Sequence, residues 1–111
     1  MDKNISRFSP LTEATYYILL SLVEPLHGYG IIKKVEVLTS NRLKLAAGTL
    51  YGAIKGLLEN KLIVLVSEEK LKKGKKMYQI TTNGKKLLYY ELNRLREMVS
   101  NGISEVGDYY E

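Results

Sequence analysis

The chain has 111 residues, 45% of them hydrophobic and 26% charged, with two prolines, no cysteine and a single histidine, His27. That size suffices for one modest core, and the composition argues against a disordered chain. A lone histidine without cysteine excludes a disulfide framework and a Cys/His zinc site within one chain, while 17 Lys and Arg against 12 Asp and Glu give a net charge of +5 that favours polyanionic partners.

The opening segment MDKNISRFSP lacks the apolar run of a signal peptide, and no stretch approaches the roughly 18 consecutive apolar residues of a membrane span, so a cytoplasmic protein is expected. Ser9-Pro10 offers an N-cap before proline at the first helical position, and Leu11, Ala14, Ile18, Leu19 and Leu22 follow at helical spacing. A helix is therefore predicted from Pro10 to Val23, ended by Pro25. His27-Gly28-Tyr29-Gly30 reads as a turn, after which Ile31, Val35 and Leu38 mark a second, shorter helix. His27 has no second histidine or cysteine to work with and is read as a turn residue near that helix start, not as a catalytic group or metal ligand.

Thr39 to Leu45 is a connector, and a third helix is predicted from Ala46 to Glu59. Steps of about 100° per residue gather Leu50, Ala53, Ile54, Leu57 and Leu58 on one side and leave Gly48, Gly52, Lys55 and Glu59 opposite, flanked by Thr49 and Tyr51. An apolar back with a small, basic and aromatic front is what a helix lying in the DNA major groove requires, though an ordinary solvated helix has the same pattern. Thr49, Tyr51 and Lys55 supply hydrogen-bonding groups to such a front. Gly48, Gly52 and Gly56 recur at i, i+4 and i+8, each at a cost of roughly 0.5–1 kcal/mol against alanine, which suggests close backbone approach to a partner at Gly52 and its neighbours.

Leu62 to Val66 and Met77 to Thr81 read as two strands, joined by a segment rich in lysine and containing Gly74. Lys70, Lys72, Lys73, Lys75 and Lys76 would meet phosphates as point charges at the tip of this hairpin, giving affinity with little sequence information; the plainer reading is a solvated loop. A last helix begins at Thr81 or Thr82, and Leu88, Leu92, Leu95 and Val99 alternate spacings of four and three along it, the seam of a helix that pairs with a second copy or folds back on its own domain. Glu105, Asp108 and Glu111 make the tail acidic. No nucleophile-elbow sequence or paired-carboxylate arrangement supports an enzyme.

The order helix, helix, helix, strand, strand, helix predicts a mainly α protein with a small β-hairpin wing: a winged helix-turn-helix DNA-binding domain over residues 1–82 and a C-terminal dimerisation helix with its acidic tail over 83–111. Three fragments, His27-Gly28-Tyr29-Gly30-Ile31, Gly48-Thr49-Leu50-Tyr51 followed by Leu57-Leu58-Glu59-Asn60-Lys61-Leu62-Ile63, and Tyr78-Gln79-Ile80-Thr81-Thr82-Asn83-Gly84, resemble the PadR family of transcriptional regulators in order and spacing. The resemblance implies a repressor that binds double-stranded DNA as a homodimer through its last helix and often responds to a small molecule or to cellular stress. Gly52 departs from it, since the family commonly has proline after the tyrosine. The chain looks like the short branch of the family, so that a small-molecule inducer would have to use the dimer interface, with no cofactor implied. Two other readings stay open: a winged-helix protein-interaction module, and a sequence-neutral architectural DNA-binding protein.

Overall fold

The computed structural model describes residues 3–66 and 75–107, and element bounds below refer to these. A single turn, α1 (Lys3–Ser6), precedes α2 (Glu13–Ser21), α3 (Gly28–Leu38) and α4 (Ala47–Glu59). A two-stranded antiparallel hairpin follows, β1 (Ile63–Leu65) and β2 (Tyr78–Ile80), and then α5 (Thr82–Val106). Among the described residues no helix is long and apolar enough to cross a membrane.

The start of α2 differs from the sequence expectation. It is capped by Thr12, whose hydroxyl accepts from the Thr15 N–H at 3.2 Å, not by Ser9. Ser9 and Leu11 are engaged elsewhere: the Ser9 hydroxyl and the Leu11 N–H both donate to Glu91 on α5, at 2.5 and 2.7 Å, and the Ser9-Pro10 peptide is cis. A buried carboxylate distant in sequence outcompetes the local cap, because hydrogen bonds to an ionised acceptor are the stronger ones. The helix therefore begins three residues later than proline at a first helical position suggests.

The turn expected at His27 is the first turn of α3 itself. His27 is its N-cap, with Nδ1 accepting from the Gly30 N–H at 3.1 Å. Thr39 closes the other end; its hydroxyl donates to the Val35 carbonyl at 2.8 Å and accepts from the Leu43 N–H at 3.1 Å, and Ser40 and Asn41 take left-handed backbone to turn the chain toward α4.

One core holds all five helices and the hairpin. Ile5 comes from α1; Ile18, Leu19 and Leu22 from α2 and its cap; Ile31 and Val35 from α3; Leu50, Ile54 and Leu57 from α4; Ile63, Tyr78 and Ile80 from the strands; and Leu87 and Leu88 from α5. At roughly 1.5–3 kcal/mol for each fully buried large aliphatic side chain, this is the dominant favourable contribution to folding. The hairpin pairs Ile63 with Ile80 and Leu65 with Tyr78. Its second strand is also bound on the other edge: Leu26 and Tyr78 exchange backbone hydrogen bonds at 3.0 and 2.9 Å, and the Ile80 N–H donates to Leu22 at 2.8 Å. The connector between α2 and α3 thus fixes the hairpin against the helices.

The exit of α4 and the entry of α5 are joined at one point. Lys61, with a left-handed φ of 59°, ends α4, with the Leu62 N–H donating to Leu57 and its own N–H to Leu58. Thr81 caps α5 by accepting from the Gly84 N–H at 3.1 Å while its hydroxyl donates to the Lys61 carbonyl at 2.9 Å. Gly84 is required here: a Cβ on it would stand 2.3 Å from the Leu62 carbonyl oxygen.

Candidate nucleic-acid interface

Leu50, Ile54 and Leu57 hold α4 against the core, and that anchorage decides what the helix shows outward. Gly48, Thr49, Tyr51, Gly52 and Lys55 are all exposed. Among the described residues, a Cβ added at Gly48, Gly52 or Gly56 would touch nothing within 4 Å, so their packing does not demand these glycines. Gly56 differs from the other two in facing: it is half-buried and lines a shallow recess with Phe8, Leu11 and Asn60, turned toward the N-terminal segment instead of the outward face. The N-cap position, Ala46, provides no side-chain hydrogen bond, and the first turn carries no acidic residue, so the positive end of the helix dipole is left uncompensated on this side.

Beside α4 lies a recess of about 410 Å³ lined by His27, Gly28, Tyr29, Tyr51, Lys75, Lys76 and Tyr78. It draws on three places at once: the first turn of α3, the middle of the first half of α4, and the hairpin. Its polar groups are phenols, an imidazole and two ammonium groups, with no carboxylate among the described lining residues. Burial, together with the neighbouring Tyr51, pushes the Tyr78 phenol above its ordinary value and keeps it a hydrogen-bond donor at neutral pH. On the rim, the Lys33 ammonium sits 5.3 Å from the centre of the Tyr29 ring and 3.6 Å from Glu36; hydrogen bonding to Tyr29 is the largest cause of its raised pKa.

The structure exposes Thr49, Tyr51, Gly52 and Lys55 across the outer side of α4, and it sets Lys75 and Lys76 in one recess with Tyr51. Lys70, Lys72 and Lys73 lie outside the described residues. Tyr29 and Tyr78, which line the same recess, were not among the sequence candidates; Tyr29 stands in the His27-Gly28-Tyr29-Gly30 turn and Tyr78 in a strand, and neither context advertises a surface shared with α4.

The seam of α5 divides. Leu88 is only 6% exposed and packs in the chain's own core, so it is not offered to a second copy, contrary to the sequence expectation. Leu92 and Leu95 are half-buried, and Val99 is exposed, as are Met98, Ile103 and Val106, which the sequence candidates omitted. Every residue from Arg96 to Gly107 is exposed, so the helix leaves the body of the protein after Leu95. Beneath that departure Glu91, 1% exposed, accepts from Ser9, Leu11 and Arg94, the last through Nε at 2.8 Å and Nη2 at 3.0 Å. These bonds, led by that to Arg94, outweigh burial and lower the Glu91 pKa to about 2. The residue was missed because its one sequence signal, an acid one turn beyond Leu87 and Leu88, also fits an exposed position.

A helix pair, α3 and α4, carried on a third helix and flanked by a two-stranded hairpin is a winged helix-turn-helix. Residues 18–90 match the transcriptional regulator PadR-like family, and the chain belongs to that family. Its fold is similar to that of a transcriptional regulator from Clostridium thermocellum, at 21% identity over 97% of this chain and 99% of that one, with a TM-score of 0.71. It is also similar to a PadR family transcription regulator from Clostridium difficile, at 26% identity over 85% of this chain and 97% of that one, TM-score 0.68. A third similar structure is Bacillus subtilis PadR in complex with operator DNA, at 27% identity over 76% of this chain and 48% of that one, TM-score 0.62. No curated protein sequence matches the chain significantly.

Proposed function

We propose that this protein is a sequence-specific DNA-binding repressor that acts as a homodimer, with α4 in the major groove and the hairpin against the backbone. The observation that carries the proposal is the outward face of α4: Thr49, Tyr51 and Lys55 stand among glycines that no described residue requires, next to a recess that has two lysines and no acid among the described residues. Hydroxyl and ammonium groups on such a face can reach base edges, while Lys75 and Lys76 neutralise phosphates. The complex of Bacillus subtilis PadR with operator DNA supports the same use of the fold. Residues 1–82 then serve DNA binding and 83–111 pairing, although the first turns of α5 share the core of the winged domain. A small-molecule inducer has room at the pairing surface: recesses of about 480 and 400 Å³ flank Leu95, one bounded by Val99 and Ile103, the other by Tyr16, Tyr17 and Met98.

The test is competition binding, at fixed salt, between the DNA upstream of the protein's own gene and random duplex, coupled to transcription from that promoter. Preference for the upstream fragment with reduced transcription is expected. Equal binding to both duplexes would make the protein a sequence-neutral architectural binder, and no binding to either would leave a protein-interaction module. In the Lys75→Ala, Lys76→Ala variant both duplexes should bind more weakly, with the slope of log K against log salt flatter by roughly 0.9 for each phosphate that is no longer neutralised.

A further inference from the structure

Gly28 opens α3 immediately after the His27 cap and is buried. Its φ is not in the left-handed region, so what the glycine supplies is space, not backbone freedom. The space is filled by Tyr51 from α4. A Cβ on Gly28 would stand 2.3 Å from the Tyr51 Oη, 2.9 Å from Cζ and 3.4 Å from Cε1, so the tip of the ring rests on the bare α-carbon. Among the described residues, and apart from the two chain neighbours of Gly28, no other side chain comes as near to that point. Tyr51 as a whole is 52% exposed.

We infer that Gly28 is a positioning residue for Tyr51: by lacking a side chain it seats the phenol tip between α3 and the hairpin, and so sets which atoms α4 presents to DNA. The inference rests on the DNA-binding reading of the α4 face. The His27 cap adds to the seat, because the bond from the Gly30 N–H to His27 Nδ1 holds the first turn of α3 in place beneath the ring. Tyr51, Tyr78, Lys75 and Lys76 then line one recess, and the seated ring forms part of the surface that would face a phosphodiester. A methyl group at Gly28 would drive the hydroxyl outward by roughly 1 Å to restore ordinary contact. No other described residue near Gly28 would have to move, and alanine is a better helix residue than glycine.

The experiment is a double-mutant cycle on wild type, Gly28→Ala, Tyr51→Ala and the combined variant, with the upstream DNA fragment as probe and thermal stability measured in parallel. Gly28→Ala should weaken binding by roughly five- to tenfold, the size of one lost hydrogen bond, with little change in Tm. In the Tyr51→Ala background the same substitution should leave affinity unchanged, since there is no ring left to displace. Wild-type binding by Gly28→Ala alongside weakened binding by Tyr51→Ala would overturn the positioning role and leave the DNA-binding reading intact. An equal penalty in both backgrounds would also overturn it, by showing an effect that does not pass through Tyr51. Wild-type binding by Tyr51→Ala would instead remove the role of Tyr51 on which the inference stands. Should Gly28→Ala fold poorly, recovery of stability in the combined variant supports the seat, and failure to recover refutes it.

Discussion

Glu91 shares its helix face with Leu87 and Leu88, yet it is the residue that binds the N-terminal segment to α5. Because its carboxyl is held near 2 in the folded protein, below its ordinary value of 4.5, the stabilisation is fully present above about pH 5 and is lost as the pH falls through 4.5 toward 2. Arg94 is partly open to water, which screens the pair, so the contribution at neutral pH is on the order of 2–3 kcal/mol. Glu91→Gln should lower the Tm at pH 7 and flatten the fall in stability between pH 5 and 2; a parallel pH profile in the two proteins would show that other carboxylates govern acid unfolding. Gly52 lies at the other extreme, exposed with open space around its α-carbon. Gly52→Ala should raise stability by up to about 1 kcal/mol, while the added methyl obstructs the groove-facing surface and weakens binding to the upstream DNA. A variant that is more stable and binds as well as the parent would show that the glycines of this face are tolerated, not used.

At the scale of elements, the helices and strands were legible wherever local pattern and tertiary packing agree. The apolar positions Leu50, Ile54 and Leu57 define the buried side of α4 by spacing alone, and the hairpin strands lie within their expected bounds. What was not legible depends on partners distant in sequence. Ser9-Pro10 has every local mark of a helix start, and only the position of Glu91 in space shows why the helix waits for Thr12. The turn α1 likewise had no periodic signal of its own, although Ile5 is buried. Of the candidate site, the α4 face could be read from helical phase, but the recess could not, because Tyr29, Tyr51 and Tyr78 are brought together by three different elements. Glycines make the same point: Gly52 and Gly84 are indistinguishable as letters, yet a Cβ on Gly84 would meet the Leu62 carbonyl at 2.3 Å and Ile80 Cγ1 at 2.6 Å. Backbone cannot swing aside as a side-chain tip can. Gly84→Ala should therefore cost at least about 2 kcal/mol, a fall in Tm of roughly 8 °C or more, the opposite of Gly52→Ala. Thermal unfolding of the two variants side by side checks both signs, and a neutral Gly84→Ala would mean that the junction between α4 and α5 yields more than this packing allows.

For the whole molecule, the decisive feature is how α5 leaves the body. Its first three turns are part of the core, through Gly84, Leu87, Leu88 and Glu91, and every residue of its last three is exposed. Helices of that length are marginal in water when isolated. From Leu92 onward the helix nonetheless carries an apolar stripe: Leu92, Leu95, Val99, Ile103 and Val106 fall within about 80° of arc at helical phase. A second copy meeting this stripe across a two-fold axis would cover it on both chains and would carry two α4 helices to half-sites about one helical turn, 34–36 Å, apart. Val99 and Ile103 are the informative positions, since both are exposed in the single chain, at 61% and 44%, and charge there should cost the winged domain little. Leu92 and Leu95 are half-buried and would confound pairing with folding. The Val99→Glu, Ile103→Glu variant should sediment as a monomer, retain the cooperative unfolding of its core, and bind the upstream DNA about 100-fold more weakly, because each half-site must then be bound without the gain from linkage. A variant that remains dimeric would place the pairing surface elsewhere, and a wild-type protein that stays monomeric at micromolar concentration would remove the dimer from the proposal altogether.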